Sequence, residues 1–313
     1  MDHGYKFNQR IRFIYGTDEE ILWRGIAQYN KKESQINSGI SPDAEFPLIY
    51  AEKGLQQSYL VGPGTDQLKL SLKNAFNAVP DKAVYDGPKQ DEVKAALDKH
   101  GFEYTSDENS ITVLGKSVHA MLAPQGTNAV LRLAIALDDV FDFKPLDFIG
   151  KLFKEDATGT NLLGDVEDES GHLTINISSL EINEKETRMQ IDLRIPVTVD
   201  RDKLLEKLAQ RVAPYDLKYV HFDYVAPLYV PKDSKLIQTL MDVYKEQTGD
   251  TTATPQISGG ATFARTMNNC VAFGGMLPTT PDYMHQANEQ WPLKDMFKAM
   301  EIYAQALKRL CVD

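Results

Sequence analysis

The sequence predicts an α/β fold: a mixed-sheet domain with flanking helices, interrupted along the chain by a large α+β insertion. Three observations carry this. Short buried-strand signals alternate with amphipathic helices near both ends of the 313 residues. From about Gly54 to residue 230 the pattern changes to longer paired strands joined by a tight polar turn. After Pro231 the α/β alternation returns. Domains are therefore expected at 1–54 together with 231–313, and at 55–230, in a chain long enough for two separate cores.

In chain order, Ile11-Arg12-Phe13-Ile14-Tyr15 (within 10–15) reads as an interior strand. Residues 19–33 read as a helix carrying Leu22, Trp23, Ile26 and Tyr29 on one side. A turn, SPDAEFP (41–47), leads into a short strand at 48–50. Inside the insertion, 67–78 reads as a helix ended by Val79-Pro80, and 89–100 as another stopped by Gly101. A strand at 111–115 and a long apolar helix at 126–141 follow. Strands at 172–180, 187–197 and 218–224 come next, with a turn at 181–185 and a helix at 201–211. This mixture suggests an antiparallel sheet with helices on one face. Beyond Pro231 lie a helix at 234–248, a Gly259-Gly260 turn, a strand at 271–274 and a last helix starting near Pro292. Leu293, Met296, Phe297, Met300, Tyr303, Ala304, Leu307 and Leu310 give that helix a continuous apolar face.

A net charge of −11 argues against nucleic acid as a partner, because such binding neutralises phosphates with Lys and Arg. No apolar run approaches a membrane span, and the first residues lack a signal-peptide pattern. Cys270 and Cys311 lie far apart and read as thiols in a reducing compartment, so a cytoplasmic location is expected.

Glu19 and Glu20 close the turn Gly16-Thr17-Asp18-Glu19-Glu20 after the first strand signal. Successive strand side chains point to opposite faces, so adjacent carboxylates share a task only where the chain turns sharply, as a glycine permits. One can then bind a metal while its neighbour takes a proton from the metal-bound water. Taken alone, the stretch also reads as a solvated acidic loop. Asp43 after a proline reads as a turn former or a ligand, and His285 as a loop histidine or a ligand. Histidine with carboxylates is the ligand chemistry of a hydrolytic zinc site, and Glu289 could orient such a histidine.

Seven stretches decide between these readings. IRFIYGTDEE (11–20), SPDAEFP (41–47), NAVPD (77–81), GKSVHA (115–120), DLRIP (192–196), SGGATFAR (258–265) and MHQANE (284–289) occur in this order. With them the chain resembles the PepV-like dipeptidase branch of the dinuclear zinc metallopeptidases, relatives of carnosinase, aminoacylase and succinyl-diaminopimelate desuccinylase. The resemblance implies a zinc-peptidase catalytic domain interrupted by an α+β lid, and hydrolysis of dipeptides bearing a free C-terminal carboxylate. It implies Glu19 as general base, and Glu20, Asp43 and His285 as zinc ligands. His119 is implied as the oxyanion stabiliser, Asn77 and Arg194 as lid residues contacting substrate, and Arg265 with Gly259 and Gly260 as binders of the substrate carboxylate. The chemistry suits these types: arginine forks onto carboxylates, zinc activates water and an imidazole donor meets an oxyanion. Arg194 would otherwise read as a surface cation and His119 as a strand-end polar residue. His3, His100, His172 and His221 match no motif and are expected to be structural.

The family's His-x-Asp segment and bridging aspartate, which lie upstream of the Glu-Glu pair, have no counterpart here. The expectation is a catalytic domain represented by its C-terminal portion only. Such a chain would hold at most one of the family's two zincs, weakly, and turn over little substrate alone. It could associate through an exposed sheet edge or with the missing N-terminal segment. An N-acyl amino acid deacylase of the same family and a non-catalytic assembly subunit are the alternatives.

Overall fold

A strand exists only where a neighbour takes its backbone N–H and C=O groups. In the computed structural model, which describes residues 4–19, 23–281, 283 and 288–312, the run 11–15 has no such neighbour and forms no strand. Phe13 and Tyr15 are exposed, 70% and 92%. Arg12 instead donates to Tyr29 Oη at 3.1 Å and to the Ser34 carbonyl at 2.8 Å. This corrects the interior strand expected there.

The described elements begin with α1 (Arg24–Lys32), β1 (Gly39–Ser41), β2 (Ala44–Glu45), β3 (Ile49–Glu52), β4 (Gly54–Pro63) and β5 (Leu70–Leu72). Next come β6 (Lys82–Tyr85), α2 (Gln90–His100), β7 (Tyr104–Ser106), β8 (Ile111–Leu114) and α3 (Ala129–Asp138). They are followed by α4 (Lys144–Asp147), α5 (Thr160–Leu163), β9 (Glu167–Asp168), β10 (Gly171–His172), β11 (Thr174–Ile182) and β12 (Glu186–Ile195). The chain ends with α6 (Arg201–Val212), β13 (Lys218–Val225), β14 (Leu228–Tyr229), α7 (Lys235–Thr248), β15 (Gln256–Ser258), β16 (Cys270–Ala272), β17 (Gly275–Met276) and α8 (Leu293–Cys311). Residues 1–53 with 227–313 form one compact unit, and 54–226 the other.

The first unit holds a mixed sheet in the order β1-β16-β3-β14, with β15 also on β3. β1 runs parallel to β16 and β15 parallel to β3, while β14 and β16 run antiparallel to β3. Phe46 anchors its core, with ring centroids 5.0 Å from Phe273, 5.6 Å from Tyr244 and 5.7 Å from Tyr303. α8 packs on α7. It buries Asp295, Ala299, Ile302 and Ala306, whereas Leu293, Phe297 and Met300 from its expected apolar face stay exposed.

The second unit is built on an antiparallel sheet, β13-β4-β12-β11-β5, beside a smaller sheet β6-β8-β7. Leu60, Ile175, Ile177, Ile191 and Leu193 from the larger sheet join Leu133 and Leu137 of α3 in one core. Burying each such side chain contributes roughly 1.5–3 kcal/mol relative to exposure. The helix expected at 67–78 is not formed. Leu68, Leu70 and Leu72 are buried while Lys69, Ser71 and Lys73 are exposed, which is the two-residue period of a strand, and β5 pairs with β11. No helix among the described residues is long and apolar enough to cross a membrane.

Candidate active site

In the first unit, the Glu19 turn is tied to the segment bearing Arg265. Trp23 donates its backbone N–H to Asp18 O at 3.0 Å and its indole N–H to Glu19 O, and Arg24 Nε pairs with Asp18 at 2.6 Å. The Trp23 ring meets Phe263 edge-on at 5.4 Å. Gly16 lies so close that a Cβ there would fall 2.3 Å from the Phe263 ring. Thr262 caps the short 3-10 turn Phe263–Thr266, which presents Arg265. The Arg265 guanidinium is almost wholly buried: Nε donates to Glu52 at 2.8 Å and Nη2 to the Gly260 carbonyl at 2.7 Å. Thr262 adds two hydrogen bonds to Glu52, 2.7 and 3.1 Å. Gly260 N–H donates to Ser258 Oγ at 2.9 Å, which shapes the Gly259-Gly260 bend.

Asp43 sits exposed on the turn between β1 and β2. The turn is held from the other side by Ala44 N–H to Gly274 O at 2.8 Å and Phe46 N–H to Met276 O at 2.7 Å. Gly274 has φ +70, and a Cβ on it would strike the Phe46 ring at 2.2 Å, so only glycine serves there. Burial, and then the nearby Asp43 charge, push the Tyr303 phenol up.

In the second unit three expected residues come together. Asn77 and His119 lie on adjacent segments: Ala120 N–H donates to Asn77 O at 2.8 Å, Val79 N–H to Val118 O at 2.9 Å, and Ala78 bridges to His119. Met121 N–H donates to His119 Nδ1 at 3.2 Å. An accepting Nδ1 carries no proton, so the neutral ring bears its hydrogen on Nε2. His119 reaches the surface, yet the protein around its ring removes enough water to lower its pKa. The Arg194 charge lowers it further and Asp192 opposes the shift. Arg194 is no surface cation: its side chain is 4% exposed and pairs through Nε with Asp192 Oδ1 at 2.7 Å.

Glu20 and His285 lie outside the described residues, as do three residues beside His285. Sequence reasoning gave no role to Glu52, Asp192 or Asn176. The Asp-x-Arg spacing on a strand was the available signal for Asp192, since residues two apart share a face. His100 pairs with Asp139 and His221 with Gln56, as structural histidines do. His172 differs: on the β9–β10 hairpin its Nδ1 lies 3.3 Å from both Asp165 and Glu167, an exposed trio able to hold a cation. No expected ligand belongs to it. By donor chemistry, the carboxylates of Glu20 and Asp43 with the His285 imidazole fit a zinc ion.

Within the first unit Glu52 presets the Arg265 guanidinium, and within the second Asp192 presets that of Arg194. The chain belongs to peptidase family M20/M25/M40, whose family model matches residues 1–309. It is 33% identical over 339 residues to "Putative dipeptidase YtjP" of Bacillus subtilis, covering 99% of this chain and 71% of that protein. It is 30% identical to "Putative dipeptidase MW1694" of Staphylococcus aureus, covering all of this chain and 72% of that one. Among solved structures, aminoacylhistidine dipeptidase from Vibrio alginolyticus aligns with TM-score 0.48 and 11% identity, over 89% of this chain and 66% of that chain.

Proposed function

We propose that this peptidase hydrolyses dipeptides with a free C-terminal carboxylate, in the cytoplasm, with unit 54–226 as its lid. The observation that carries the reading is the Met121 N–H bond to His119 Nδ1, which leaves an Nε2–H donor in neutral imidazole. A donor of that kind is what a developing oxyanion requires. Asn77 beside it and Arg194 on β12 supply polar contacts for the substrate. Glu19 takes the proton of the attacking water and passes it to the leaving amine. Glu20, Asp43 and His285 would hold zinc, which when bound polarises the scissile carbonyl and acidifies water. Arg265, held by Glu52 and Gly260, is the residue assigned to the substrate carboxylate by the motif SGGATFAR. The acidic balance of the chain supports small-molecule substrates over nucleic acid.

The test is a panel of free dipeptides and their N-acetylated counterparts, assayed with and without added zinc, alongside metal content by elemental analysis. Hydrolysis of free dipeptides that EDTA abolishes and zinc restores is the expected result. Preference for the N-acetylated forms would make the protein a deacylase. Absence of turnover on both sets, with zinc bound, would overturn the enzymatic reading.

A further inference from the structure

Gln57, Asp192 and Asn176 stand side by side across three neighbouring strands, in the registers Asp192↔Gln57 and Asn176↔Asp192. Register partners project to the same face of a sheet. Asp192 is 1% exposed and Asn176 2%, on the face of the sheet opposite the one that carries Ile175, Ile177, Ile191 and Leu193. Each polar group is satisfied in a directed way. Gln57 Nε2 donates to Asp192 Oδ2 at 3.1 Å, and Asp192 accepts Arg194 Nε at 2.7 Å and Nη2 at 3.3 Å. Asn176 Nδ2 donates to the carbonyls of Phe76, 3.1 Å, and Ala78, 2.9 Å, the two that flank Asn77. Its own Oδ1 accepts Asn128 Nδ2 at 3.2 Å, and Asn128 is in turn locked as the N-cap of α3.

A buried ion pair seldom stabilises more than apolar residues of equal volume, and buried amides only break even when fully paired. Stability therefore gives little reason for a polar row at the centre of this sheet. Its bonds run to Arg194 and to the two carbonyls that flank Asn77, with Asn128 of α3 as the further anchor.

We propose that Gln57, Asp192 and Asn176 form a positioning layer: Asp192 fixes the Arg194 guanidinium, and Asn176 fixes the Asn77 turn and, through it, His119. The substrate role of those three residues rests on the function proposed above; the positioning itself does not. None of the layer residues is catalytic. They act by removing side-chain and backbone freedom before substrate arrives, so that no ordering cost falls on the bound state.

Asp192→Asn and Asn176→Ser test this in the full chain. In nitrogen-15 NMR spectra, the wild-type Arg194 Nε–H is expected as a slowly exchanging signal. Asp192→Asn should speed its exchange by about tenfold or more and move the His119 titration to lower pH, because the charge opposing Arg194 is gone. Asn176→Ser should raise hydrogen exchange of the Ala120 amide, which bonds Asn77 O, by about tenfold while α3 amides keep their protection. If Asp192→Asn unfolds, the Asn176→Ser exchange pattern decides. An Arg194 signal unchanged in folded Asp192→Asn, or Ala120 protection unchanged in Asn176→Ser, overturns the proposal. With dipeptide turnover in hand, Asp192→Asn should raise KM and lower kcat, and Asp192→Glu should restore part of both. Failure of the wild-type chain to hydrolyse any dipeptide counts against the proposed function alone, since the NMR outcomes do not depend on it.

Discussion

Asp138 closes α3 with a side chain 7% exposed, and its Oδ1 is buried without a hydrogen-bond partner among the described residues. Lys151 Nζ is 4.0 Å away, but it lies 2.8 Å from Asp147 and serves that residue first. Burial, and then a hydrogen bond with Asp147, push the Asp138 carboxyl from 3.8 up to about 7. The folded chain thus keeps a proton between about pH 4 and 7 that the unfolded chain has released. Stability must fall as pH rises through this window, since the folded state binds more protons. At 1.36 kcal/mol per pH unit, a rise of about three units sets a ceiling near 4 kcal/mol. Asp147 is held low by Lys151 in spite of its own burial and recovers part of this, and residual solvent screens the rest. About 2 kcal/mol is the working figure.

Asp138→Asn replaces the protonated acid by a neutral amide that still donates to Asp147. At pH 8 it should stabilise the 54–226 unit by about 2 kcal/mol, a urea midpoint shift of roughly 1 M. At pH 4.5, where Asp138 is already protonated, the gain should vanish. Urea titrations followed by far-UV circular dichroism at both pH values measure this. An equal gain at both values, or a loss at pH 8, would refute the reasoning.

Arg265→Met strands the Glu52 carboxylate, which is fully buried, and should cost the first unit about 3–5 kcal/mol in urea denaturation. The double variant with Glu52→Gln should recover more than half of it. Gly115→Ala places a Cβ 2.2 Å from the Thr127 carbonyl and should destabilise by about 1–3 kcal/mol in thermal melts. His119 should titrate below the ordinary 6.5 by NMR, because burial and Arg194 lower it. Since the folded ring then binds fewer protons than the unfolded one, its stabilising share is lost as pH falls below 6.5. A titration at or above that value refutes burial and the Arg194 charge as its controlling influences.

Amphipathic periods made most helices and the long hairpin β11–β12 legible, because burial on one face leaves a repeating mark in sequence. The period misled at 67–78, where Leu68, Leu70 and Leu72 alternate strictly and a strand period was read as helical. It misled again at 11–15, where apolar residues alone could not report whether a partner strand exists. Motifs pointed to Asn77, His119 and Arg194 as site residues, and these three are brought together within one unit. Their supports were invisible for a different reason. Glu52 reaches Arg265 from 213 residues away, and Asn176 reaches the Asn77 turn from about 100 away. No local pattern records such pairings. The aromatic seat of the Asp43 turn, Phe46 with Tyr244, Phe273 and Tyr303, is equally dispersed.

The pairing of β3 with β14, β15 and β16, and of β1 with β16, has a consequence for biosynthesis. Every one of these pairs joins a strand made early to a strand made late. At ribosomal speeds of about 5–20 residues per second, the 173-residue unit 54–226 that lies between them alone takes roughly 10–30 s to appear. During that interval residues 54–226, contiguous in the chain, have all their sheet partners and can fold. Strands β1 and β3 wait with their edges unpaired. A nascent-chain chaperone should therefore engage the stretch that carries β1 and β3, and release it only after β16 has left the ribosome.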